Sequence, residues 1–222
     1  MLVDVAGAQY YLRSDVYLGR AICHRCALCG VHWFSYLWLA AVAQGIGAAR
    51  MKVVVLTGPE SAGKSTLCSA LAEHFNAPVV REYVREYIDQ VGRDTNYADI
   101  EIIAREQLAR ERAARALKPP LLLLDTHLLS NMLWSQTLFA RSPDWIEQSL
   151  LAQHYDAIFL LSPEGMPWQA DGQRCQPELS QRQDFYAQLH SWLTQHQQPV
   201  VSISGSWQAR LDMLVEHING LS

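Results

Sequence analysis

A balanced set of cysteines is missing from this sequence. The five present fall as one crowded group, Cys23, Cys26 and Cys29, and two isolated residues, Cys68 and Cys175. An odd, uneven set makes a poor disulfide framework. The stretch CHRCALC, with His24 and His32 nearby, also lacks the paired CxxC…CxxC spacing of a zinc module, so no metal site is expected there. Excess positive charge is absent as well. With 18 Lys and Arg against 22 Asp and Glu, the formal charge is −4, which argues against a surface built to neutralise nucleic-acid phosphates. No nucleic-acid partner is expected, and any anionic ligand must be held by a local group.

Long apolar runs are scarce. The stretch 31–49, VHWFSYLWLAAVAQGIGAA, approaches the roughly 20 residues that cross a bilayer, but His32 and Gln44 dilute it. A membrane is therefore not expected as a partner unless 31–49 is a real anchor. About thirty mixed residues precede the run and no short basic segment leads it, so it does not read as a signal peptide either. Internal repeats, low-complexity tracts and the N-K-x-D signature of guanine-nucleotide switches are all lacking.

What is present supports one sizeable α/β domain: half of the 222 residues are apolar, enough for a large core. The first fifty residues differ in character from the rest. Met51 opens MKVVVLTGPESAGKST, which reads like the natural beginning of a cytoplasmic protein. Two domains are expected: residues 1–50, a poorly structured or apolar extension arising from an over-extended reading frame or from a real appended segment, and residues 51–222, the folded domain.

From Met51 onward, apolar runs alternate with helical stretches. KVVVLT at 52–57 is short, β-branched and continuous, as a strand buried on both faces should be. KSTLCSALAEHF carries helical spacing through Leu67, Leu71 and Phe75. A second strand is expected in APVVREY and a long helix over 97–117, stopped by Pro119 and Pro120; LLLLD then gives a third strand. Residues 126–154 read as mostly helical with a break at Ser142 and Pro143. Strands at 156–161 and 199–204, a helix over 180–196 and a closing helix in WQARLDMLVEHI complete the pattern. This alternation predicts an α/β fold with five mostly parallel strands and helices on both faces.

Gly58, four intervening residues, then Gly63, Lys64 and Ser65 satisfy G-x-x-x-x-G-K-[ST], after a strand and before a helix. Glycines let the backbone curl so that N–H groups line a phosphate nest at a helix N-terminus. The loop residues Gly58, Glu60, Ser61, Ala62, Gly63, Lys64, Ser65 and Thr66 are thus expected to bind ATP. Lys64 would sit near the β and γ phosphates and the Ser65 hydroxyl on Mg²⁺. With no guanine signature and a chain short for a motor, a small-molecule kinase is favoured over a switch or a translocating ATPase.

Such a kinase needs carboxylates at the acceptor and the metal, and arginines for the charge that develops in transfer. Asp125 ends LLLLD at the carboxyl edge of the expected sheet, where ligands collect; it suits Mg²⁺ coordination or acceptor positioning, or the capping of a helix from Thr126. In REYVREY, Glu82, with Tyr83 beside it, is expected to contact the acceptor and to serve as its base, with Arg85 aimed toward phosphate. The alternative is an exposed helix start with crossed ion pairs. The long polar loop of 167–185 is expected to be a lid in which Arg174 and Arg182 close over the triphosphate and Asp171 and Gly172 shape the turn. Trp168 would stack on a flat ring or anchor the loop.

Taken together, GPESAGKST, REYVREY, LLLLDT, PWQADGQR and SQRQDF resemble the ribosylnicotinamide kinase domain of the bacterial NAD-salvage regulator and the stand-alone nicotinamide riboside kinases, a P-loop AAA-type group. The resemblance covers roughly the chain from 51 to 222. It implies ATP- and Mg²⁺-dependent phosphorylation of the 5′-hydroxyl of nicotinamide riboside, a nucleoside acceptor, on a nucleoside-kinase-type P-loop fold. It also implies that SGSWQAR, 204–210, with Trp207, receives the adenine ring. Neither an HxGH-type motif nor a helix-turn-helix stands ahead of Met51, so adenylyl transfer and repressor activity are not expected. Kinases of the same fold acting on another nucleoside, and a nucleotide-binding regulator without turnover, are the competing readings; residue pattern alone specifies neither the acceptor nor the oligomeric state.

Overall fold

The computed structural model describes residues 2–5, 8–11 and 50–221. The apolar run 31–49 and the cluster Cys23, Cys26 and Cys29 lie outside them. The chain divides into two units, Met1–Gly47 and Ala48–Ser222. In the first, β1 (Leu2–Val5) pairs antiparallel with β2 (Ala8–Tyr11), Leu2 opposite Tyr11.

In the second unit, β3 (Lys52–Thr57) is the middle of a five-stranded parallel sheet with β4 (Val79–Val80), β5 (Leu121–Asp125), β6 (Ala157–Leu161) and β7 (Val200–Ile203), in the order β4-β5-β3-β6-β7. Val54 stands level with Leu123 on one side and Ala157 on the other. Side chains alternate faces along a strand, so each hydrophobic run feeds two cores. Val53, Val55, Leu122, Leu124, Ile158 and Leu160 face one core, which takes buried residues from α3 (Tyr97–Ala116), α4 (Leu128–Phe139), α5 (Asp144–Leu151) and α6 (Leu179–Gln195). Val54, Leu56, Leu123, Phe159 and Leu161 face the other, against α1 (Lys64–Phe75) and α7 (Trp207–Gly220). Each fully buried Leu or Val contributes about 2 kcal/mol, which makes these stripes the dominant stabilising element.

The five strands of this sheet lie where the sequence pattern puts them, but the second is cut to two residues. The chain leaves the sheet at Arg81, and α2 (Tyr83–Val91) starts at once, the Tyr83 N–H donating to the buried Gln107 Oε1 at 2.8 Å. The stretch 126–154 resolves into α4 and α5. Among the described residues no helix is long and apolar enough to cross a membrane.

A capping box starts α3: Asn96 Oδ1 accepts from Ala98 N at 2.9 Å, and Asp99 Oδ2 accepts from Asn96 N at 2.8 Å. The same buried carboxylate takes Arg93 at 2.6 Å and the Tyr87 hydroxyl at 2.6 Å, so α2 and α3 share one polar anchor. These donors, Arg93 first, hold the Asp99 carboxyl well below its ordinary range. Its stabilisation is complete above the ordinary carboxylate pKa and is lost as pH falls through the lower folded value. Asp99→Asn is expected to destabilise the domain by about 2 kcal/mol near neutral pH, and by less below about pH 3. Urea titrations at the two pH values measure the difference.

Candidate active site

At the end of β3 the chain turns through Gly58, whose φ is +143°. A Cβ there would lie 2.6 Å from the Leu161 carbonyl oxygen, so only glycine lets the loop pass β6 this closely. The loop re-enters helix at Lys64. No side chain caps the N-terminus of α1, and its first amides remain available to an anion. Lys64 Nζ bends back to the carbonyl oxygens of Gly58 (2.9 Å) and Pro59 (2.8 Å). Burial holds this ammonium below its ordinary pKa, opposed by the nearby Glu82 and Asp125 carboxylates. Ser65 is exposed beside it, Thr66 Oγ1 donates to the Gly63 carbonyl at 2.9 Å, and Ala62 is buried.

A cavity of about 210 Å³ runs from this loop along the β4–β5 side of the sheet. Glu60 to Thr66, Glu82, Arg85 and Gln173 to Cys175 form its polar end. Val84, Ile88, Ile100, Ile103, Trp134 and Leu138 form its apolar end, with Thr95, Ser130 and Asn131 as neutral polar groups. The Trp134 ring is backed by Phe185, centroids 4.7 Å apart. Glu82 lies at the junction, immediately before α2. Burial raises its carboxyl pKa, with Lys64 opposing, and Arg85 Nε is 3.8 Å away.

The charges of REYVREY separate by role. Glu86 pairs outward with Arg110 of α3 at 2.6 Å, while Arg81 bonds the Ser65 carbonyl (3.2 Å) and Ser69 Oγ (2.9 Å) at the back of α1. Only Glu82 and Arg85 turn into the cleft. Tyr83 does not: it is buried beneath Arg110, whose guanidinium stands 4.3 Å above the ring.

Asp125 is 2 % exposed, and among the described residues its Oδ1 has no hydrogen-bond partner; neither has the buried Thr57 Oγ1 at the end of β3. Asp125 does not cap a helix, since α4 begins after His127. Thr126, next in the chain, takes φ +67°, a left-handed conformation that costs a β-branched residue of order 1–3 kcal/mol and turns the chain sharply off the sheet edge. Unpartnered, hard oxygen donors here, with the Ser65 hydroxyl at the head of α1, fit Mg²⁺. His127 is also fully buried, with no hydrogen-bond partner among the described residues, and burial alone lowers its pKa to about 3, so the ring is neutral.

The 167–176 loop is latched over the phosphate loop. Glu60 accepts from the Trp168 indole N–H (2.8 Å), the Cys175 N–H (3.1 Å) and the Gln176 N–H (2.6 Å). Arg174 Nη1 donates to Ser61 Oγ at 2.9 Å and to the Gln169 carbonyl at 2.7 Å. Asp171 Oδ1 accepts from the N–H groups of Gln173 and Arg174, both at 3.1 Å, and with Gly172 at φ +81° makes the turn. Its other oxygen bridges Arg85 (2.7 Å) and Arg174 (3.0 Å). Trp168 thus anchors the loop through its N–H and does not line the cavity.

Arg182 and Trp207 lie elsewhere. Arg182 is buried on α6, its Nη1 3.4 Å from the Met166 carbonyl, so it braces the root of the loop. Trp207 is 39 % exposed at the start of α7, outside the cavity. Neither Trp134 nor Asn131 is singled out from the sequence, and Arg210 enters only as the last residue of the 204–210 stretch. For the first two a signal existed: Ser130, Asn131, Trp134 and Leu138 recur at helical spacing along one face of α4. Arg210 shares the buried stripe of Leu214 and Ile218 and is itself fully buried.

Comparison with known proteins agrees with this architecture. Two curated relatives, the trifunctional NAD biosynthesis/regulator proteins NadR of Escherichia coli (strain K12) and Salmonella typhimurium (strain LT2), are 27 % identical over 139 residues and 28 % identical over 128 residues. These alignments take in 61 % and 56 % of this chain but only 34 % and 31 % of the relatives, so the chain spans about a third of their length. A crystal structure of a NadR protein in complex with NR matches with TM-score 0.64 at 21 % identity, covering 77 % of this chain and 51 % of that one. Deoxyadenosine kinase from M. mycoides with bound dATP matches with TM-score 0.53 at 11 % identity, covering 76 % of this chain and all of that one. The likeness to both establishes the P-loop kinase fold. A family model described as AAA domain matches residues 53–210, from the first strand of the large sheet through the buried arginine of α7, and the chain belongs to that family, AAA_28.

Proposed function

We propose that this chain is an ATP-dependent nucleoside kinase whose acceptor is nicotinamide riboside. The observation that carries the reading is one continuous cleft: a phosphate loop, a carboxylate–arginine pair beside it, and an apolar chamber with an aromatic wall beyond. That is the order in which a triphosphate, a reacting hydroxyl and a nucleoside ring must lie.

In this scheme the loop amides and Lys64 hold the β and γ phosphates. Glu82 accepts the proton of the acceptor 5′-hydroxyl as its oxygen attacks the γ phosphorus, and the bond to the bridging oxygen of ADP breaks. Arg85 and Arg174 face the charge on the transferring group. Asp125 and Ser65 would hold Mg²⁺, which supplies charge neutralisation on the phosphates when bound. The chamber suits a flat ring, and the Trp134 face favours a cationic one such as a pyridinium. A panel of nucleosides with ATP and Mg²⁺ tests the acceptor: nicotinamide riboside is expected to be the best substrate. Turnover of another nucleoside with none of nicotinamide riboside overturns the assignment.

Arg174 is tied to Ser61 and Asp171 in the closed loop, and its charge is needed most when the phosphoryl group is in flight. Arg174→Ala is expected to lower kcat on the order of tenfold while shifting the KM for ATP much less. Initial rates over a range of ATP concentrations give both constants.

A further inference from the structure

The largest fully buried side chain of the described structure is that of Arg210, and no carboxylate pairs with it among the described residues. Its guanidinium is held by carbonyl oxygens alone: Nε donates to Gly205 (2.8 Å), Nη1 to Ser162 (2.8 Å) and Ala62 (3.3 Å), and Nη2 to Glu164 (2.9 Å). A charge buried without a counter-ion is costly, and an apolar side chain on the Leu214–Ile218 stripe would fill the same place without that cost. What the arginine does that an apolar residue cannot is bind three separate backbone segments in fixed register. They are the phosphate loop, the turn after β6 and the turn after β7.

The position of those turns is informative. The acceptor cleft opens on the β4–β5 side of the phosphate loop. In-line transfer puts the attacking and leaving oxygens on opposite faces of the phosphorus. The leaving nucleotide must therefore extend the other way, over β6 and β7, where residues 162–164 and 204–206 form the sheet edge. We infer that Arg210 is a positioning residue for the donor: it holds these two turns as a preformed seat for the nucleoside half of ATP. The inference rests on the kinase reading above.

The test separates the nucleoside half of the donor from its phosphates. Arg210→Met and Arg210→Lys are compared with the unaltered protein for binding of a non-hydrolysable ATP analogue, inorganic tripolyphosphate and the acceptor nucleoside. Both variants are expected to weaken the analogue about tenfold or more, equivalent to about 1.4 kcal/mol. Tripolyphosphate and acceptor should change by less than about threefold. Lysine is not expected to rescue, because one ammonium cannot span four carbonyls. Equal losses for analogue and tripolyphosphate, or unchanged affinity for both, would overturn the role. Should neither variant fold, amide exchange on the unaltered protein decides: the analogue but not tripolyphosphate is expected to slow exchange at 204–207, and equal protection by both sinks the idea. An unaltered protein that binds neither compound defeats the kinase reading and this inference together; binding of both with equal losses in the variants defeats only the inference.

Discussion

Lys64→Ala is expected to reduce kcat/KM on the order of a thousandfold, with the fold intact. Among the described residues the lysine ammonium hydrogen-bonds only the Gly58 and Pro59 carbonyls of its own loop, so its removal breaks no hydrogen bond between elements. Its value lies in what those carbonyls give up. Neutral acceptors hold the ammonium at the mouth of the nest, and a phosphate oxygen outcompetes them because it carries a full opposite charge, which adds ion-pair attraction to the hydrogen bond. Burial lowers the Lys64 pKa, and the Glu82 and Asp125 carboxylates oppose that shift. Steady-state rates of ADP release and thermal melts of the two proteins check the expectation. A melt equal to the unaltered protein with rates cut a thousandfold fits it; equal rates exclude a phosphate role for Lys64. For a nucleotide-binding regulator, the unaltered protein would show no turnover to lose.

The parts of this site that were legible in the sequence are those made by adjacent residues. KVVVLT, the glycine loop and the first turn of α1 follow from β-branched burial, left-handed glycines and an uncapped helix start, all within some fifteen residues. The end of β5 is similar, because a carboxylate after four leucines has one exit from the sheet. What the sequence did not disclose is made by contact between distant segments. Glu60 reads as one more residue of the ATP-binding loop, yet it receives three donors from residues 108 to 116 positions away. Trp168 was open between stacking and anchoring, and only the position of Glu60 distinguishes them. Arg182 looks like a second lid arginine by spacing, but α6 carries it on the buried stripe of Phe185 and Leu189. Trp134 differs: its spacing with Ser130, Asn131 and Leu138 marks one face of α4, but on an apolar helix that spacing does not tell a cavity wall from core.

These contacts join the two halves of the cleft. The loop carrying Arg174 is fastened to the phosphate loop by Glu60 and Ser61, and to α2 by Arg85–Asp171 and by Gln173 Nε2 donating to Asp89 at 2.7 Å. One loop is thus tied to both sides of the cleft, as the proposed lid role requires.

The two carboxylates of the site are expected to fail differently when neutralised. Glu82 lines the cleft between Lys64 and Arg85, with a pKa raised by burial, the condition that brings a carboxylate closer to the working pH of a base. Asp125 is buried at the strand end with an oxygen that has no hydrogen-bond partner among the described residues. Glu82→Gln keeps the size and one acceptor oxygen but cannot take a proton. It should lower kcat on the order of a hundredfold to ten-thousandfold, with little change in the Mg²⁺ concentration giving half-maximal rate. Asp125→Asn removes the negative charge that attracts a divalent ion, so the half-saturating Mg²⁺ should rise markedly and added Mg²⁺ should restore part of the lost rate. Mg²⁺ titrations of both variants at saturating ATP and nucleoside separate the roles. Restoration of Glu82→Gln by Mg²⁺, with Asp125→Asn insensitive to it, would exchange the two assignments and place the base at the end of β5.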